Sequence, residues 1–103
     1  AEKTEAEAQL AVEQERIAAE IDAARQGEEA ARARLAATEQ RARLANESRG
    51  FFEKSFRLGE TDLPTRLRIE AEAAEAEREA ARARVELAAS VSALRQALGL
   101  LPE

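Results

Sequence analysis

Glu72, Glu75 and Glu79 are the residues whose type and spacing come nearest to chemistry. Carboxylates three and four positions apart share one helix face. Such a group could serve as general acid and base or hold a hard cation. Arg78 and Arg82 stand in the same stretch, so the favoured reading is a solvated ladder of i,i+3 and i,i+4 ion pairs. Ser48, Ser55, Ser90 and Ser92 offer hydroxyls, but the chain has no His, Cys, Tyr or Trp from which to build the usual nucleophile–base pairs. Gly59 stands alone rather than in a glycine-rich phosphate loop. No catalytic, cofactor-binding or metal-ligating residue is therefore assigned, and an enzyme is the least favoured class.

The elements around these residues are helical. In a chain of 103 residues, 36% are charged and 3% aromatic, and much of the 45% apolar share is alanine. That length allows one domain at most. Alanine removes little area from water, so the core must be a thin seam. The composition suits long helices or a coiled coil. The formal net charge is −5, and every Arg-rich segment is interleaved with Glu. This disfavours nucleic acid, which needs a concentrated basic face, and anionic membrane surfaces. No apolar run approaches the roughly 20 residues of a membrane span. The opening Ala-Glu-Lys-Thr-Glu has no signal-peptide core and begins inside a helical pattern, as a piece of a longer protein would.

The first helix is expected over about 2–57. Leu10, Ile17, Ala24, Ala31, Thr38, Ala45 and Phe52 keep a seven-residue spacing, with Ile21, Leu35, Ala42 and Phe56 four residues further on. This is a coiled-coil seam, with poor slots at Gln14, Glu28 and Arg49. Gly27 reads as a close helix approach or slight bend, at a cost of about 1 kcal/mol relative to alanine. Gly50 reads as a place for a local break.

Residues 58–62 form the expected tip, and the second helix follows over about 63–98. Asp62 or Thr61 can cap it, Pro64 suits its first turn, and Gly99, Leu100 and Pro102 end it. This helix carries two apolar stripes. One is Ile69, Ala73, Ala76, Ala80, Ala83, Leu87, Val91, Leu94 and Leu98; the other is Leu67, Ala71, Ala74, Ala81, Val85 and Ala88. At about 100° per residue they lie roughly 150° apart. Between them run polar faces marked by Glu70, Glu77 and Arg84, and by Arg68, Glu72, Glu75, Glu79 and Glu86. Two opposed stripes ask for a neighbour on each side, in a hollow helical cylinder or a four-helix bundle made by dimerisation. The longer first helix would also leave about twenty residues uncovered by the second, exposing Leu10, Val12 and Ile17. The fold expected is all-α, one long antiparallel helical hairpin that self-associates.

The segment Ser55-Phe56-Arg57-Leu58-Gly59-Glu60-Thr61-Asp62-Leu63-Pro64-Thr65-Arg66-Leu67, with the closing Ser92-Ala93-Leu94-Arg95-Gln96-Ala97-Leu98-Gly99, resembles the last periplasmic hairpin of outer-membrane efflux factors. These are the TolC-like proteins, and the Arg-Leu-Gly-Glu-Thr-Asp-Leu-Pro wording is nearest the CzcC/CusC-like branch of heavy-metal efflux pumps. Phe56, Gly59, Leu63, Leu67 and Leu98-Gly99 carry the pattern. The resemblance implies a trimeric channel with an outer-membrane β-barrel and a periplasmic helical tunnel. This hairpin would line the tunnel, with Arg57, Leu58, Gly59, Glu60, Thr61 and Asp62 as the tip that meets a periplasmic adaptor. The inner-membrane pump would be an indirect partner. Thr65 and Arg68 stand where TolC itself carries acidic pore-constricting residues; they become the pore-facing candidates, and an acidic gate does not carry over. Two other readings remain: the coiled-coil hairpin of an adaptor protein, and a generic dimerising coiled coil.

Overall fold

The computed structural model describes residues 2–101. Pro102, expected to block continuation of the second helix, lies outside the described residues. Two helices, α1 (Glu2–Arg57) and α2 (Leu63–Leu98), run antiparallel as one hairpin. At 1.5 Å per residue α1 is about 84 Å long, which matches the long axis of a ribbon measuring 86 × 21 × 13 Å.

The seam between the helices is built almost wholly from alanine. Ala31 and Ala42 of α1 and Ile69, Ala73, Ala76, Ala80, Ala83 and Ala97 of α2 are buried. Ala42, Ala76 and Ala80 pack together, with Ala45 against them. Ala80 is 0% exposed. Side chains this small let helix axes approach toward the short end of the usual 8–10 Å range. Larger members of the same rows, Leu35, Phe52, Phe56, Leu87, Val91, Leu94 and Leu98, are half-buried. The first stripe of α2 is thus the seam, a choice between the two stripes that their spacing leaves open. Thr38, the hydroxyl in the α1 row, donates back to the carbonyls of Arg34 and Leu35 at 3.0 Å each. Among the described residues no buried side-chain nitrogen or oxygen lacks a partner.

Polar pairs fix the register beside the seam. Arg41 Nη1 donates to Glu79 at 2.7 Å, Asn46 Nδ2 donates to Glu77 at 2.6 Å, and Arg34 lies 3.4 Å from Glu86. Each side chain in the two ion pairs is partly exposed, so these pairs select alignment more than they add stability.

Three expectations need correction. α1 runs unbroken through Gly27 and Gly50, so neither is a break. A Cβ built at either glycine meets nothing within 4 Å; Gly27 is not a close approach between α1 and α2. Leu10 and Val12 are exposed beyond the end of α2, but Ile17 is half-buried. The reason is that α2 reaches slightly further than its length alone suggests. After Leu98 the chain continues in tighter turns, with Leu100 N–H bonding Ala97 O and Leu101 N–H bonding Leu98 O. Leu101 and Leu98 then share an open apolar hollow with Ile17, Ala18 and Ile21. Gly99 itself is right-handed helical, at φ −66°, ψ −14°, so α2 ends without a left-handed cap.

Three substitutions test this packing. Ala80→Leu should destabilise the hairpin by about 1–3 kcal/mol by forcing the helices apart, whereas Ala81→Leu, one position on and exposed, should not. Gly27→Ala should stabilise by about 1 kcal/mol, because the added methyl has free space. Urea unfolding followed by circular dichroism measures all three.

Candidate functional site

The tip is built from two helix terminators placed back to back. α1 ends in a Schellman arrangement: Gly59 N–H bonds Phe56 O at 3.0 Å, and Glu60 N–H bonds Ser55 O at 2.9 Å. Closing both bonds requires a left-handed residue at Gly59, whose φ is +76°. Open space surrounds the position of its missing Cβ, so the demand for glycine comes from the backbone and not from crowding.

Asp62 then starts α2. It has extended backbone (φ −81°, ψ 164°), and its Oδ1 accepts from Thr65 N–H at 2.9 Å. Hydrogen bonds from the Thr65 hydroxyl and amide hold the Asp62 carboxyl below the usual carboxylate range. Pro64 lies in the first turn, where no amide partner is lost.

Side chains brace the two ends. The hydroxyls of Ser55 and Thr61 lie 2.5 Å apart. The Arg66 guanidinium sits 4.8 Å above the centre of the Phe56 ring and 3.3 Å from Glu70, a cation–π contact shared with an ion pair. Arg57 pairs with Glu53 at 2.6 Å, which holds the Glu53 carboxyl low.

The structure therefore brings Arg57, Leu58, Gly59, Glu60, Thr61 and Asp62 together at one end of the ribbon. All are exposed except Thr61, which is half-buried and turned to Ser55. Leu58 is 73% exposed, and Leu63 beside it is half bare. Of the pore-facing candidates, Thr65 is half-buried and its amide is occupied by Asp62, while Arg68 is exposed and pairs with Glu72 at 2.9 Å.

The carboxylates weighed as acid, base or cation ligands are each held by arginine. Glu72 pairs with Arg68, Glu75 with both Arg78 and Arg82, and Glu79 with Arg41 across the seam. The two arginines keep the Glu75 carboxyl low, which opposes use as a general acid near neutrality. No cluster of three or more metal-ligating side chains occurs among the described residues.

The second stripe of α2 is bare along its length. Leu67, Ala71, Ala74, Ala81, Val85 and Ala88 are all exposed, Val85 by 70%. The first helix has a matching stripe that the reading above does not include: Ala23, Ala30, Ala37, Leu44, Phe51 and Leu58, every one exposed. It keeps a strict seven-residue spacing one position ahead of the seam row, which places it roughly 120° around α1 from the seam. Its signal was present in the spacing, but the alanines dilute it and the stronger seam row masks it.

Comparison of the chain with family models, with curated proteins and with solved structures returns no match. No helix among the described residues is long and apolar enough to cross a membrane.

Substitutions at two tip positions report on these constraints. Gly59→Val should cost about 1–2 kcal/mol from the left-handed backbone alone, and Gly59→Asn, which tolerates that conformation, should cost less. Because the folded pKa of Asp62 is depressed, its cap contributes fully above the unfolded value near 3.8. That contribution disappears as pH falls through the folded value. Asp62→Asn keeps an acceptor for Thr65 N–H, so the melting-temperature difference between wild type and Asp62→Asn should narrow or reverse on acidification from about pH 5 to pH 2, read by circular dichroism.

Proposed function

We propose that this hairpin is a wall element of an export conduit, the periplasmic helical tunnel of a TolC-like outer-membrane channel in a tripartite efflux pump. The observation that carries the reading is the bare apolar stripe on the outer side of each helix, in addition to the buried seam. Neighbours in a compact four-helix bundle sit about 90° apart around each helix. Stripes roughly 120–150° from the seam suit a shallowly curved wall of many helices instead. Contiguous apolar surface of this extent asks for cover.

The tip supplies the second support. Gly59 and Asp62 make a short, braced reversal that presents Arg57, Leu58 and Glu60 at the end of an 86 Å rod. This suits end-on docking to the hairpin tips of a periplasmic adaptor. On this reading the full channel is a homotrimer, the inner-membrane pump is reached through the adaptor, and the tip wording favours heavy-metal cations as cargo. Arg68, exposed nearly two turns beyond the tip, is the residue best placed to face the pore, with Thr65 one turn before it.

The test is export by cells whose channel carries Gly59→Val. Loss of metal tolerance, with the channel still present in the outer membrane, is the expected result; full tolerance would count against the reading. The isolated chain should also show a mass above the monomer by light scattering at high concentration, and a strictly monomeric mass would remove the need for a wall.

A further inference from the structure

We infer that the end of the ribbon away from the tip is a docking site for a basic amphipathic helix of a partner protein, which continues the seam where α2 stops. The inference goes beyond the wall reading and does not depend on it.

The seam outlasts one of its two helices. Its α1 row runs on through Ile21, Ile17 and Leu10, whereas α2 ends at Leu98 and the turns after it reach Leu101. Leu98 and Leu101 close one end of an open apolar hollow of about 560 Å³, floored by Ile17, Ala18 and Ile21. Residues 2–16 are all exposed, about 22 Å of helix at 1.5 Å per residue. Leu10, in the middle of this stretch and on the seam row, is 59% exposed. A site that prolongs a formed interface needs a helix, because the row it offers keeps helical spacing.

The same stretch holds the charge of the whole molecule. Residues 2–22 carry seven carboxylates against Lys3 and Arg16, so the formal net charge of −5 lies entirely there and the remaining residues balance. At about 100° per residue, Glu13 and Glu20 flank the apolar row on one side, and Glu7 and Asp22 flank it on the other. Arg16 pairs with Glu13 and Glu20, and Arg25 shares the hollow with Asp22, yet the excess stays acidic. A helix with large apolar residues at i, i+3, i+4 and i+7 would extend the seam, and Lys or Arg beside them would meet these carboxylates. A second copy laid with its own residues 2–22 on this stretch would set acid against acid, which repels. An anionic membrane surface is repelled for the same reason.

The probe that tests this is a labelled amphipathic peptide of about 15 residues, made of Leu and Lys alone, titrated with this chain and followed by fluorescence anisotropy. The matching peptide of Leu and Glu is the charge control. The Leu/Lys peptide should bind, and the Leu/Glu peptide should bind at least about tenfold more weakly. Leu10→Ser and Leu101→Ser should each weaken binding by about tenfold. Val12→Ser changes the same acidic stretch, but about 160° around α1 from Leu10, and should leave binding unchanged, as should Val85→Ser on the outer stripe. All four positions are exposed, and an unchanged helical circular dichroism signal shows that each variant keeps the fold. Equal losses in Leu10→Ser and Val12→Ser, a loss confined to Val85→Ser, or no binding of either peptide overturns the inference. A chain that ignores the peptide and is a dimer that Leu10→Ser alone dissociates would name a second copy as the occupant, and that too overturns it. Each of these failures leaves the wall reading, which concerns the outer stripes, standing.

Discussion

The contact of alanine on alanine at Ala42, Ala76 and Ala80 is the constraint on which the rest of the molecule depends. Small side chains let two helix backbones approach closely. The larger residues of the same rows, Leu35, Phe52, Leu87 and Leu94, are only half-buried, and other large apolar residues, such as Leu44, Phe51 and Val85, stand on the outside. A helix pair with such a thin interior buries little area per residue. Its apolar surplus on the outer edges is the physical reason to expect a larger assembly.

The tip follows from the same closeness. Two nearly touching helices must be joined by a short reversal, and residues 58–62 achieve this by ending one helix and capping the next without an intervening loop. Gly59 supplies the left-handed residue and Asp62 the cap, while Ser55–Thr61 and Arg66–Phe56 tie the two ends together. A reversal of this kind behaves as a fixed head on a rod.

Charge serves alignment here more than cohesion. The ion pairs lie on exposed or half-exposed faces, where each contributes little to stability. Their arrangement still discriminates. Arg34 and Arg41 of α1 meet Glu86 and Glu79 of α2 midway along the ribbon, and a slipped pairing would break both. Glu72, Glu75 and Glu79, which by spacing alone resemble a site for chemistry, are committed to arginines within this scheme.

Helix boundaries, the seam rows, the tip and the twin stripes of α2 were legible in the sequence, because seven-residue spacing and the Gly59, Asp62 and Pro64 signals act locally and depend on nothing distant. The spacing of Leu44, Phe51 and Leu58 was also present, but it acquires meaning only once the seam has taken the adjacent row and left this one bare. Gly27 and Gly50 show the limit of local reading: a glycine within a helix signals a bend, a break or a close approach, and only the folded chain reveals that α1 runs on through Gly50 and that Gly27 is not a close approach to α2. Tertiary structure alone decided which alanines are buried, since Ala80 and Ala81 are chemically identical and one rotation of about 100° sends the first into the seam and the second to the outer face.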